Sequence, residues 1–78
     1  MDVNEIQQIL ADSLTGCDVR VEGEGNHLSI VAIGEVFAGK RSLQRQQQVY
    51  AVLKEYIAEG VIHAVNMKLY TPEEWRAG

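Results

Sequence analysis

The sequence predicts an α+β domain in the order α-β-β-α(α)-β-α, with the helices on one face of a three-stranded mixed sheet. Three observations carry this reading. Two short strand-like stretches flank a glycine-rich turn, which is the pattern of a β-hairpin. A third alternating stretch lies near the C-terminus, separated from the hairpin by a long helical segment. A strand, a helical crossover and another strand join parallel neighbours by a right-handed connection. Finally, segments with apolar residues at three- and four-residue spacing lie at the start and in the middle, each with one face to bury.

Residues 2–14 form the first helix. Val3, Ile6, Ile9, Leu10 and Leu14 make one apolar stripe; Asp2 or Asn4 can cap its start and Gly16 can end it. Residues 17–22 alternate, with Cys17, Val19 and Val21 against Asp18, Arg20 and Glu22, giving a strand with one wet face. Gly23, Glu24, Gly25 and Asn26 form the turn, and His27 follows it near the hairpin tip. The apolar run LSIVAI over 28–33 suits a more central strand. Residues 34–41 connect, with Phe37 as a core anchor and Gly39 supplying a turn. Ser42 can cap a helical segment running toward Gly60, whose apolar positions are Leu43, Val49, Val52, Leu53, Tyr56 and Ile57. The pattern fits one helix or two joined by a kink.

The last strand begins at Val61. Val61, His63, Val65, Met67 and Leu69 point one way, toward a core, and Ile62, Ala64, Asn66, Lys68 and Tyr70 point the other. Thr71 stops the strand and caps a final helix. Pro72 fits its first turn, Glu74 occupies the capping-box position, and Glu73 and Glu74 suit the positive end of the dipole. This helix carries Trp75 back toward the sheet.

A chain of 78 residues fits a single domain over 1–78, and it contains no internal repeat, linker or low-complexity segment. Its 46% apolar content excludes a disordered chain. No apolar run approaches the roughly 18 residues that cross a bilayer. The opening MDVNEIQQ is acidic and polar, so no secretory signal is expected and the cytoplasm is the expected compartment. The one cysteine, Cys17, excludes an internal disulfide and any all-cysteine metal site within one chain. The net charge of −4 argues against general nucleic-acid binding, although Lys40, Arg41 and Arg45 make a local basic patch.

Enzyme signatures are missing. There is no GxSxG, no phosphate-binding glycine loop and no HExxH. Cys17 lies in phase with Val19 and Val21 and reads as a buried structural cysteine. The carboxylates are scattered, so a non-enzymatic role is expected. The histidines are more informative. If the second and third strands are parallel neighbours, His27 and His63 fall at the same end of the sheet. Two imidazoles there could hold a transition metal or part of a cluster, but two ligands do not complete a site, so such a metal would be shared with a partner. Pattern alone favours instead a half-buried, hydrogen-bonded His63 and a solvated His27. It also leaves two readings of the basic patch, a phosphate contact or a solvated surface.

The run GEGNHLSIVAIGEVFAGKRSLQRQQQVYAVLKEYIAEGVIHAVNMKLYTPEEW resembles the BolA family. The strongest pieces are Phe37-Ala38-Gly39, Arg45-Gln46-Gln47-Gln48-Val49-Tyr50, Ile62-His63-Ala64 and Thr71-Pro72-Glu73-Glu74-Trp75, and the likeness spans residues 3–76. It implies a class II KH-like (BolA-like) fold, in agreement with the element order above. It also implies a binding module that pairs with a monothiol glutaredoxin of the CGFS type, the two sharing a [2Fe-2S] cluster. By the resemblance, the glutaredoxin supplies its cysteine and the thiol of a bound glutathione. This chain would supply His63 and a second ligand from the loop between its first two strands, which holds His27 and no cysteine. Cys17 precedes the first strand and does not inherit the role. Imidazoles in place of thiolates lower the negative charge on a cluster and tend to raise its potential. A ligand that can be protonated suits transfer or sensing.

The resemblance implies an alternative as well, a KH-like nucleic-acid-binding transcriptional regulator. KH domains clamp the backbone with a GxxG loop. Here the corresponding connector reads Ala38-Gly39-Lys40-Arg41 without that motif. Lys40, Arg41 and Arg45 would be the contacts, and they could equally meet the glutaredoxin or its glutathione.

Overall fold

The computed structural model describes residues 2–78. Its elements are α1 (Val3–Ser13), β1 (Asp18–Glu24), β2 (His27–Ile33), a 3-10 turn (Glu35–Phe37), α2 (Ser42–Ala58), β3 (Ala64–Tyr70) and α3 (Pro72–Ala77). The sheet order is β1-β2-β3, with β1 antiparallel and β3 parallel to the central β2. This is the expected α+β architecture.

Register decides which residues face the helices. Val21, Ile30 and Met67 align in one row and Val19, Ala32 and Leu69 in another. These rows pack with Ile6 and Leu10 of α1, Val49 and Leu53 of α2, and the fully buried Phe37. On the opposite face Arg20, Val31 and Lys68 align, as do Glu22, Ser29 and Asn66, and that side lies open. The caps are local. Asp2 Oδ1 accepts from the Asn4 and Glu5 N–H groups at 3.0 and 3.2 Å, satisfying donors at the start of α1. Thr71 Oγ1 accepts from the Glu74 N–H at 3.1 Å, while Glu74 accepts from the Thr71 N–H at 2.8 Å. That is the capping box read from the sequence.

Several boundaries differ from the expectation. The first strand runs on to Glu24, leaving Gly25 and Asn26 as a two-residue loop. Gly25 takes φ +61° and Asn26 stays at negative φ, the pattern of a type II′ turn that matches strand twist. His27 therefore opens β2. Ser42 is not the cap of α2 but its first residue; Arg41 holds the cap position, and its N–H donates to Gln44 Oε1 at 2.9 Å. The long segment is one continuous helix of 17 residues. Leu43 and Ile57, expected among its apolar core positions, are exposed. Trp75 rests on Tyr70, with ring centroids 5.7 Å apart, yet stays half exposed.

The third strand begins at Ala64 rather than Val61. The N–H groups of Val61 and Ile62 both donate to the Tyr56 carbonyl, so the chain is still turning off α2. The alternation read from the sequence thus holds from Val65 onward but fails before it. Ile62 is buried and His63 faces solvent.

Candidate metal-ligand site at the histidine end of the sheet

Two connections place the backbones of both histidines at one end of the sheet. The type II′ turn places His27 at the first position of β2, in register with Ala64. The His63 N–H donates to the carbonyl of Asn26, the residue before His27, at 2.9 Å. Backbone hydrogen bonding therefore anchors both residues to one end of the sheet, and both side chains are exposed.

Gly60 lies beside His63. It takes φ +77° where the chain leaves α2, a conformation that glycine adopts without steric cost. A Cβ there would lie 3.6 Å from His63 Nε2, an ordinary contact distance, so the ring lies beside the end of α2.

Exposed imidazoles are suitable donors for iron or another borderline transition metal. Two imidazoles alone would not complete a metal's coordination. Among the described residues, no group of three or more His, Cys, Asp or Glu is arranged to hold a metal ion. Cys17 cannot complete the set. It lies beside Gly34 at the far end of β2, about 20 Å from His27 at 3.3 Å per strand residue. Burial also pushes its thiol above the ordinary range. The residues fit a shared centre whose remaining donors come from another molecule.

The basic patch is divided by its hydrogen bonds. Lys40 Nζ donates to the Val36 carbonyl at 3.0 Å. Arg45 Nε donates to the Lys40 carbonyl at 2.9 Å, and Nη1 donates to the Leu69 carbonyl at 3.0 Å and to Glu74 Oε1 at 2.7 Å. With its side chain only 12% exposed, Arg45 is an internal tie rather than an open contact. Arg41 is exposed. Sequence reasoning missed this role of Arg45, because its partners lie 24 and 29 positions away.

The fold defines a small α+β domain with two exposed histidines at one end of an open-faced sheet. The chain belongs to the BolA-like protein family, whose model matches residues 5–74. It is 48% identical over 75 residues to the acid stress protein IbaG of Escherichia coli (strain K12), covering 96% of this chain and 89% of that protein. Among solved structures it is similar to a BolA protein homologue from Coxiella burnetii, with a TM-score of 0.82, 31% identity and 97% of each chain covered. It is also similar to yeast Fra2, with a TM-score of 0.75, 29% identity, and 96% of this chain and 84% of that chain covered. Among the described residues no helix is long and apolar enough to cross a membrane.

Proposed function

We propose that this chain is a non-enzymatic partner of a monothiol CGFS glutaredoxin and shares a [2Fe-2S] cluster with it in iron–sulfur trafficking or iron sensing. The observation that carries the reading is the His63 N–H to Asn26 carbonyl bond of 2.9 Å, which holds the backbone of one exposed histidine at the same end of the sheet as the other. Family membership supports it, because BolA-like proteins are the class in which a histidine in this position faces a glutaredoxin. A bound cluster would supply one-electron chemistry and a transferable iron–sulfur unit. His63 and His27 would offer neutral nitrogen donors on an open surface. The bonds that hold their backbones would fix the direction of approach. Neither imidazole is buried, so the ligands can exchange when the partner leaves. A nucleic-acid role draws less support, since Lys40 and Arg45 spend donors on internal carbonyls.

The test is reconstitution of this protein and a CGFS glutaredoxin with iron, sulfide and glutathione. The expected product is a coloured heterodimer with a histidine-ligated spectrum. A spectrum that His63→Ala leaves unchanged sinks the assignment.

A further inference from the structure

Helix α2 has three sides with different fates. Val49 and Leu53 are buried under the sheet. Val52 and Tyr56 turn toward α1, where they line a groove with Ile9 and Tyr56 Oη donates to Glu5 Oε1 at 3.0 Å. Leu43, Tyr50 and Ile57 fall on the third side, about half a turn from Val52 at 3.6 residues per turn. They stand 64%, 41% and 37% exposed. Seven-residue spacing keeps them in one row, about 21 Å long at 1.5 Å per residue. The carboxylates of the helix's C-terminal half, Glu55 and Glu59, line the α1 groove instead, so Lys54 is the one charge beside the row.

The row ends at the histidine site. The Gly60 N–H donates to the Ile57 carbonyl at 3.1 Å, and a Cβ on Gly60 would lie 3.6 Å from His63 Nε2. The geometry points to Leu43, Tyr50 and Ile57 as the docking strip of the glutaredoxin that brings the remaining ligands, an inference that rests on the proposed function. A partner seated over His63 and His27 meets Ile57 at once and can run along α2 to Leu43. The matching surface is an apolar ridge beside the partner's metal-bearing cysteine, neutral or acidic where it meets Lys54.

A second copy of this chain fits less well. Antiparallel pairing of α2 about Tyr50 would send the two His63 sites to opposite ends. Three partly exposed apolar side chains also fall far short of the roughly 20–30 residues a side of a lasting interface. A strip that adds to an existing metal contact needs less area.

The experiment is a calorimetric titration of wild type and the triple variant Leu43→Ser, Tyr50→Ser, Ile57→Ser with cluster-loaded, glutathione-bound CGFS glutaredoxin. A tenfold or greater loss of affinity is expected, with the wild-type histidine-ligated spectrum restored when the partner is saturating. The single variant Tyr50→Glu, at an exposed position, gives the same direction of change if the triple variant does not fold. Unchanged affinity in variants whose circular dichroism matches wild type overturns the strip and leaves the metal reading standing. A spectrum indifferent to His63→Ala overturns the metal reading instead. Wild-type self-association in sedimentation that the triple variant abolishes assigns the row to a second copy and also overturns the proposal.

Discussion

The Arg45 guanidinium grips Glu74 through two bonds, Nη1 to Oε1 at 2.7 Å and Nη2 to Oε2 at 3.2 Å. Because Arg45 also reaches the Leu69 and Lys40 carbonyls, one side chain ties the connector, α2, the outer edge of β3 and α3 together. Sheet edges expose unpaired backbone groups. Here Arg45 covers one on β3, and on the other edge Gln7 Oε1 accepts from the Val21 N–H at 3.1 Å.

Arg45→Ala therefore removes the donor that the Lys40 and Leu69 carbonyls use. A loss of about 1–3 kcal/mol is expected in urea denaturation, in line with unmet hydrogen bonds at mostly buried positions. Arg45→Lys should recover little of it, because an ammonium cannot reproduce the planar fork. A wild-type midpoint for Arg45→Ala would show that the tie carries no stability.

Glu74 gives this tie a pH signature. The Arg45 hydrogen bonds, followed by the Thr71 N–H, hold its carboxyl down from 4.5 to about 2. A carboxylate with a depressed folded value favours the folded state above its unfolded value, and that contribution disappears as pH falls through the folded one. The stability difference between wild type and Glu74→Gln should thus be full at neutral pH and shrink between pH 4.5 and about 2. Trp75 fluorescence is the natural probe, since it follows Glu74 on α3. A difference that stays constant over this range would contradict the assignment.

Gly34 and Cys17 form a tight contact between β2 and the start of β1. A Cβ on Gly34 would strike Cys17 Sγ and come within 3.1 Å of Cys17 Cα and 3.2 Å of its Cβ. Gly34 has extended backbone, φ −174°, so space rather than conformation demands glycine. Gly34→Ala should cost about 1–3 kcal/mol, typical of overpacking. Cys17→Ala should relieve part of that in a double-mutant cycle, because it removes the sulfur but not the backbone contact. Strict additivity of the two changes would disprove the clash.

His63→Ala and His27→Ala should leave folding intact. Both side chains are exposed, and surface substitutions of this kind usually shift stability by less than about 0.5 kcal/mol. Thermal unfolding near the wild-type midpoint, combined with a lost iron spectrum for His63→Ala and a weakened or shifted one for His27→Ala, separates ligand loss from unfolding. A large fall in the midpoint would mean that the imidazoles hold the fold.

Much of the architecture was legible because it is written in neighbouring residues. The stripe of Ile6 and Leu10, the alternation of Val19 and Val21, and the Thr71-Pro72-Glu73-Glu74 cap each act within one turn or one strand. The errors came where a contact outside an element's own repeat intervened. The run from Val61 to Leu69 alternates without a break, yet the Tyr56 carbonyl holds Val61 and Ile62 in a turn. That bond reverses the burial expected of Ile62 and His63. Leu43 and Ile57 look like core residues by type, but their angle around α2 sends them outward.

The sequence by itself determined the order of the elements, the caps of the first and last helices, the family, and the identity of the two histidines as candidates, because these depend on local spacing and residue type. Tertiary structure alone decided that His63 lies open at the same end of the sheet as His27, that Arg45 is spent on an internal tie, and that a row of α2 remains uncovered. Each depends on hydrogen bonds or packing between residues far apart in the chain, and no local pattern encodes which of those partners will meet.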